Sequence, residues 1–127
     1  KVTDLYINQL ADGRLMHSNS WIMPDDWMTD AYMFAVSYPE GTEATDAKDF
    51  FICHGSALRR DKETYFSSLS KLFVIQKEEG KKLNLWIDGQ PKIHAMFRSE
   101  KKPTTVIVNG NNFPVVYKNA HVKVKYQ

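Results

Sequence analysis

Trp86 is flanked by Asn84 and Asp88 at a spacing of two residues, which puts the three side chains on one face of a strand. The opposite face of this predicted strand carries Leu83, Leu85 and Ile87. An indole ring stacks on the C–H face of a sugar, while amide and carboxylate groups hydrogen-bond sugar hydroxyls. If this face is exposed to solvent, the pattern predicts a sugar-binding surface. Packing of Trp86 against another subunit or beneath the C-terminal strands is the alternative.

Trp27 is the second aromatic residue that we assign to this candidate site. It follows Pro24-Asp25-Asp26, a sequence that breaks strands, and is therefore expected in or beside a loop. A tryptophan in a loop can contact a ligand or pack against the domain, and the sequence leaves both roles open.

Catalytic and metal-binding patterns are missing from the sequence. His17, His54, His94 and His121 do not pair with another histidine, a cysteine or a carboxylate at metal-ligand spacing. Cys53 and His54 are adjacent, so on a strand their side chains point to opposite faces; we expect Cys53 to be a small core residue. The sequence also lacks a phosphate-binding glycine loop and a nucleophile elbow. We predict a non-enzymatic protein that uses no cofactor and no metal.

Acidic residues recur every three positions in one segment, at Glu40, Glu43, Asp46 and Asp49. Such carboxylates can bind calcium, but the D-x-[DN]-x-[DN]-G pattern of a calcium-binding loop is missing. We therefore expect residues 39–47 to form a solvated acidic loop.

Charge is divided unequally between the two halves of the chain. Residues 1–61 carry five Lys/Arg and ten Asp/Glu, whereas residues 62–127 carry twelve and five. Either the halves pair with each other, or the second half offers a basic face to an anionic partner. The residues that could serve a nucleic-acid strand are Lys92, Arg98, Lys101, Lys102, Lys118, Lys123 and Lys125, with Phe97, Tyr117 and Tyr126. Lysines that alternate with valines also protect an edge strand from aggregation, so nucleic-acid binding is the less favoured interpretation.

The composition is that of one folded domain, residues 1–127, with 43% hydrophobic and 13% aromatic residues. Apolar runs are shorter than the roughly 18 residues of a membrane-spanning helix, so we expect no membrane span. A single cysteine excludes an intrachain disulfide. The chain enters a predicted strand almost at once, and we expect that a signal peptide has been removed.

A helix is predicted over residues 62–78. Asp61 is a capping residue, and the apolar stripe recurs at spacings of three and four, at Tyr65, Phe66, Leu69, Leu72, Phe73 and Gln76. Gly80 would end this helix in the left-handed conformation and lead directly into the strand of Trp86.

Short strands are predicted on both sides of this helix. Those before it cover residues 2–10, 14–23, 30–38 and 48–54, with a hairpin turn at Asp12-Gly13. Those after it cover residues 82–88, 92–98, 104–108, 113–117 and 122–126, with a second hairpin turn at Asn109-Gly110. This pattern predicts a mainly β fold (β-rich α+β): a small OB-like antiparallel barrel with one mid-chain helix and extra C-terminal strands. A cystatin-like α+β roll is the alternative.

Two segments resemble the B subunits of AB5 toxins, in their subtilase-cytotoxin and pertussis-like branches. They are Phe50-Phe51-Ile52-Cys53-His54 before the predicted helix and Glu79-Gly80-Lys81-Lys82-Leu83-Asn84-Leu85-Trp86-Ile87 after it. The opening hairpin is also similar to the first two strands of those subunits, so the resemblance covers about residues 2–88. The chain departs from the family in lacking disulfides, and residues 99–127 have no counterpart. No glycan-contacting residue carries over.

The resemblance implies a secreted or periplasmic bacterial protein, a homo-oligomeric ring of five subunits with a separate catalytic chain, and shallow binding of a cell-surface glycan. The hypothesis is therefore a non-enzymatic binding subunit of a secreted bacterial assembly, like a glycan-binding toxin B subunit. The alternatives are an OB-type single-stranded nucleic-acid-binding protein and a small enzyme or enzyme inhibitor with a site in residues 24–47.

Overall fold

The computed structural model describes residues 14–19, 27–38 and 47–127. Within these residues, eleven strands form a single sheet. They are β1 (Arg14–Asn19), β2 (Trp27–Thr29), β3 (Met33–Tyr38), β4 (Asp49–Arg60), β5 (Glu63–Glu79), β6 (Lys82–Asp88), β7 (Ile93–Arg98), β8 (Thr105–Val108), β9 (Asn111–Phe113), β10 (Tyr117–Lys118) and β11 (His121–Tyr126). The predicted first strand with its Asp12-Gly13 turn and the break at Pro24-Asp25-Asp26 lie outside the described residues. So do residues 39–46 of the acidic loop predicted over 39–47, whereas Ala47 is described and is buried.

The sheet is curled into a half-barrel in which the two longest strands each have several partners. Its main path runs β1-β3-β4-β5-β6-β8-β9; β2 also pairs with β4, β7 with β5, β11 with β7 and β10 with β11. All pairs are antiparallel except β6 with β8, where Lys82 lies beside Thr105 and Leu85 beside Val108. The prediction of a mainly β protein is confirmed.

A bulge between β4 and β5 marks the bend of the sheet. Gly55 faces Leu72, whereas Ala57 faces Ser67, so two residue steps on β4 correspond to five on β5. The extra residues of β5 are left without partners on β4, which bends the strand. Leu69 lies in this bulge and is 82% exposed.

The helix predicted for residues 62–78 is wrong, because these residues form most of β5. Aromatic and β-branched residues at positions 64–66 and 73–75 favour a strand, and the three serines at positions 67, 68 and 70 are poor helix formers. Leu72 and Val74 join the main core, whereas Phe73 and Ile75 pack on the opposite face. The residues that recur at spacings of three and four therefore belong to both faces of this strand rather than to one face of a helix. The OB-like assignment depended on this helix and is not confirmed.

The residues predicted to begin and end that helix are turn residues. Asp61, with a φ of 53°, lies between β4 and β5, and Gly80, with a φ of 62°, lies between β5 and β6. The left-handed conformation expected of Gly80 is correct, but it makes a hairpin turn rather than a helix end. The second predicted hairpin turn is confirmed, since Asn109 and Gly110 both have positive φ and join β8 to β9.

The main core fills the inner face of the sheet, which we define as the face that carries Leu83 and Leu85. Three predicted strands alternate as expected, and their buried inner residues are Leu83, Leu85 and Ile87 on β6, Ile93, Ala95 and Phe97 on β7, and Val122 and Val124 on β11. A second cluster lies on the outer face and consists of Ala35, Phe51 and Ile75, with Cys53 and Phe73 packed against it. The described part of the chain contains no helix that could cross a membrane.

Candidate functional site

Trp86 lies on the outer face of β6, opposite Leu83, Leu85 and Ile87, as the alternation predicted. Its neighbour on β5 is Ile75, which lies beside Phe51 on β4, and Phe51 lies beside Ala35 on β3. Ala35, Phe51 and Ile75 are buried, whereas Trp86 is 39% exposed. Trp86 is therefore the accessible end of an apolar row that crosses four strands.

The two polar residues predicted beside Trp86 differ in accessibility. Asp88 is exposed, and its Oδ1 accepts a hydrogen bond from the Gly89 N–H at 2.8 Å. Asn84 is only 8% exposed and lies between Lys77 of β5 and Ile107 of β8. The structure thus brings Trp86 and Asp88 together on an open surface, while Asn84 contributes little to it.

Asn109 fixes the sheet edge next to Trp86. The Ile87 N–H donates to Asn109 Oδ1 at 2.8 Å, and Asn109 Nδ2 donates to the Ile87 carbonyl at 3.1 Å. The side-chain amide of Asn109 thereby provides β6 with backbone hydrogen-bond partners beyond the end of β8. Burial and the nearby Asp88 carboxylate raise the pKa of Tyr126, although a hydrogen bond with Asn109 opposes this shift. Tyr126 therefore presents a neutral hydroxyl near Asp88 and Asn109.

Trp27 belongs to the core, which corrects its prediction as a ligand-contacting residue. It lies in β2, is 1% exposed, and packs with its ring centroid 5.0 Å from that of Tyr65 and 6.2 Å from that of Phe34. The Arg60 guanidinium carbon lies 5.9 Å from the centroid of the indole ring. Trp27 is therefore not available to a surface ligand, and we remove it from the candidate site.

Cys53 is half-buried against the outer cluster, and burial raises the pKa of its thiol. The neutral thiol is a poor nucleophile, which agrees with a packing role. Within residues 14–19, 27–38 and 47–127, no three His, Cys, Asp or Glu residues are grouped so as to hold a metal ion. Asp49, the described member of the acidic series, is buried and accepts a hydrogen bond from the Glu78 N–H at 2.8 Å.

Several residues considered for nucleic-acid binding have other partners. Phe97 is buried in the core, and Tyr126 packs against Phe113 with a centroid distance of 5.9 Å. The Tyr117 hydroxyl donates to the Ser99 carbonyl at 2.7 Å. Arg98 Nε lies 2.6 Å from a carboxylate oxygen of Glu63. These rings do not form an open stacking platform.

A basic cleft of about 220 Å³ lies between the β5–β6 turn and the loop from β7 to β8. We call it the lysine cleft; its charged lining residues are Lys48, Lys81, Lys82, Lys101, Lys102, Glu78 and Glu100. Sequence reasoning singled out only Lys101 and Lys102, because the parallel pairing of β6 with β8 joins segments about twenty residues apart. The signal that could have found the cleft is a Lys-Lys pair beside each of two turn residues, Gly80 and Pro103.

A second groove, of about 470 Å³, has a mixed lining that includes Met96 and Val116 together with polar residues of β5 and β11. His121 holds one side of this groove, because its Nδ1 lies 2.7 Å from the Asn119 carbonyl and its Nε2 lies 2.8 Å from the Thr64 carbonyl. The ring thereby ties the β10–β11 turn to the start of β5.

No protein-family model matches the sequence, and a comparison with curated proteins gave no match. The relationship to toxin B subunits therefore stays a prediction. The pattern Glu79-Gly80-Lys81, expected at the end of a helix, lies between two paired strands, where Glu79 faces Lys82.

Proposed function

We propose that this protein is a non-enzymatic binding protein that binds a sugar on its outer face at Trp86. The observation that carries the proposal is the 39% exposure of Trp86 at the end of a row of otherwise buried residues, with the exposed Asp88 two residues along the same face. A half-exposed indole gives a flat apolar platform whose burial by a ligand releases ordered water. The Asp88 carboxylate can accept hydrogen bonds from the hydroxyls of a sugar on that platform.

The surroundings of Trp86 favour binding over catalysis. The Asn109 amide already has two backbone partners, and the raised pKa of Cys53 disfavours a thiolate on the outer face. The proposed site therefore consists of Trp86 and Asp88, whereas Asn84 on the same face is buried. A flat surface of this kind suits shallow binding, which gains affinity mainly when several copies act together.

On the basis of the resemblance to toxin B subunits, we also propose that the protein is part of a secreted bacterial assembly. It would be a homo-oligomer, a ring of five subunits in its most specific form, that directs a separate catalytic chain to a cell-surface glycan. Light scattering after size exclusion measures the mass directly. A mass about five times that of one chain supports the ring, and a monomer removes this part of the proposal without affecting the sugar site.

The sugar site is tested with immobilised oligosaccharides that cover neutral and acidic sugars, followed by titration of the best ligand. We expect Trp86→Ala to weaken binding at least about tenfold, which corresponds to about 1.4 kcal/mol. Tyr32→Ala is the matched control, because Tyr32 is an exposed aromatic residue, 64% accessible, close to β3 and three strands away. No binding to any oligosaccharide, or equal binding by wild type and Trp86→Ala, would exclude the proposed site.

A further inference from the structure

The lysine cleft concentrates positive charge in a small volume. Five lysines and two glutamates line about 220 Å³ at the ends of several strands. Like charges around one concavity repel one another, and the field inside a cleft is stronger than over an open surface. An anion bound there would replace this repulsion with attraction to each ammonium group.

The backbone that carries the lysines is held in place by hydrogen bonds. The Thr104 N–H donates to the Lys81 carbonyl at 2.8 Å, which ties the β7–β8 loop to the β5–β6 turn. Within the loop, Ser99 Oγ donates to the Lys101 carbonyl at 2.8 Å, and the Tyr117 hydroxyl holds the Ser99 carbonyl at 2.7 Å. A site with fixed walls loses less conformational entropy when a ligand binds.

We propose that the lysine cleft binds a tetrahedral oxyanion, a phosphate or sulfate group carried on a small molecule. Each lysine ammonium is a compact charge with three N–H donors and no planar preference, so several can surround tetrahedral oxygen atoms. Lys48, Lys82 and Lys101 come from three different segments of the chain, and all three line the same cleft. The volume is suited to one or two such groups and is too small for a folded partner.

This site is separate from the proposed sugar surface. Lys82 and Trp86 lie four residues apart on β6, which is about 13 Å along a strand. The proposed anion site can therefore be tested independently of the proposed sugar site. If a sulfated saccharide were the natural ligand, it could contact both sites, and the experiment below distinguishes this source from a phosphate compound.

Calorimetric titration with sulfate, inorganic phosphate, pyrophosphate and a sulfated disaccharide, in chloride buffer at constant ionic strength, tests the cleft. We expect pyrophosphate to bind the wild type, and the double variant K101Q/K102Q to bind it at least tenfold more weakly. The control K62Q/K71Q removes two exposed lysines that do not line the cleft and should bind like wild type. Stronger binding of pyrophosphate identifies a phosphate compound as the ligand, and stronger binding of the disaccharide identifies a sulfated sugar.

Two results would overturn the proposal. One is that none of the four anions binds at millimolar concentration. The other is that the control double variant loses as much affinity as K101Q/K102Q, which would show attraction to overall charge rather than to the cleft. Lys48→Ala, in a segment outside the loop, replaces K101Q/K102Q if thermal unfolding shows that the double variant is not folded.

Discussion

Gln76 Nε2 donates a hydrogen bond to the Lys48 carbonyl at 2.8 Å and lies 3.4 Å from the Arg98 carbonyl. Gln76 is 2% exposed, and its Oε1 has no hydrogen-bond partner among the described residues. A single buried side chain thus joins β5 to the segment before β4 and to the end of β7. Because Lys48 lines the lysine cleft and Arg98 precedes the loop that completes it, Gln76 connects the core to the cleft.

Substitution of Gln76 by Glu should show how strictly this amide is required. Q76E places a carboxylate oxygen against backbone carbonyls in a buried position, so we expect a loss of about 3 kcal/mol or more at pH 7. Part of this loss should be recovered at acidic pH, where the carboxyl becomes neutral and can donate. Q76L loses the hydrogen bonds but also removes the unpaired acceptor, so it should cost only about 1 kcal/mol. Urea unfolding at both pH values compares the two variants, and equal stability at pH 7 contradicts the described orientation of the amide.

Asp30 fastens β4, at the bulge in its pairing with β5, to the connection between β2 and β3. Its Oδ1 accepts from the Ser56 N–H at 2.7 Å and the Ala57 N–H at 3.1 Å, and its Oδ2 accepts from the Ser56 hydroxyl. Burial alone would raise the pKa of Asp30, but these hydrogen bonds outweigh it and lower the pKa below the usual 3.8. A carboxyl with a lowered folded-state pKa contributes stability above its unfolded pKa and loses that contribution as the pH falls through the folded value.

We therefore expect D30N to be about 1 kcal/mol less stable than wild type at neutral pH, because the neutral amide accepts these hydrogen bonds less strongly than the carboxylate. Below about pH 4 the carboxyl of the unfolded wild-type chain begins to take up a proton, so the stability difference between the two proteins should shrink as the pH falls further through the lowered pKa of folded Asp30. Chemical unfolding of both proteins from pH 7 down to pH 2.5 measures this difference. A difference that stays constant over the whole range contradicts an ionised Asp30 as the group that fastens the bulge.

The sequence pattern predicted the strands that have one apolar and one polar face. In β6, β7 and β11 the alternation is clear, because inner residues such as Leu85 and Val122 are buried while Lys123 faces solvent. In β5 the alternation disappears, because Ile75 packs on the outer face directly beside Val74 on the inner face. Where both faces of a strand are buried, apolar residues follow one another without alternating with polar ones. Such a run cannot be told from a buried helix by its periodicity, which is why the sequence predicts a helix at β5.

The candidate sites also differ in whether their residues are close together in the sequence. Trp86 and Asp88 share one strand, so their common face followed from their spacing alone. The lysine cleft draws Lys48, Lys81 and Lys101 from three distant segments, and only the pairing of β6 with β8 brings two of these segments together. The sequence predicts Trp27 in or beside a loop, because its pairing with Arg60 is also non-local.

Gly55 and Gly80 should respond differently to substitution by alanine. A Cβ on Gly55 would lie 2.7 Å from Ala31 Cβ and 2.9 Å from Ala31 Cα, so we expect G55A to cost about 2 kcal/mol by steric overlap. A Cβ on Gly80 would meet no atom within 4 Å, but the φ of 62° should make G80A cost about 1 kcal/mol. Urea unfolding measures both, and Ala31→Gly should recover part of the loss in G55A only. Recovery in G80A as well would contradict a local clash.

Glu78 should make anion binding in the lysine cleft depend on pH. Burial raises the pKa of Glu78 and Glu100 adds to the shift, whereas Lys48 and Arg98 oppose it. The other charged groups around the cleft are Lys81, Lys82, Lys101 and Lys102, and Asp49 accepts a hydrogen bond from the Glu78 backbone. As the pH falls through this raised value, Glu78 loses its negative charge while the lysines stay charged. The attraction for an anion should therefore increase.

Sulfate is the suitable probe, because its charge does not change between pH 7 and pH 4. We expect wild-type sulfate affinity to rise as the pH falls over this range, and E78Q to bind about threefold more tightly than wild type at pH 7 with little dependence on pH. A carboxyl with a raised folded-state pKa contributes stability that is full below its unfolded pKa and is lost as the pH rises through its folded pKa. At pH 7 this contribution is absent from the wild type, so E78Q, which carries no charge at this position, should be more stable than the wild type. D61N, at an exposed position in the turn between β4 and β5 and outside the cleft lining, is the control. If E78Q keeps the pH dependence of wild type, Glu78 is not the group that opposes the anion.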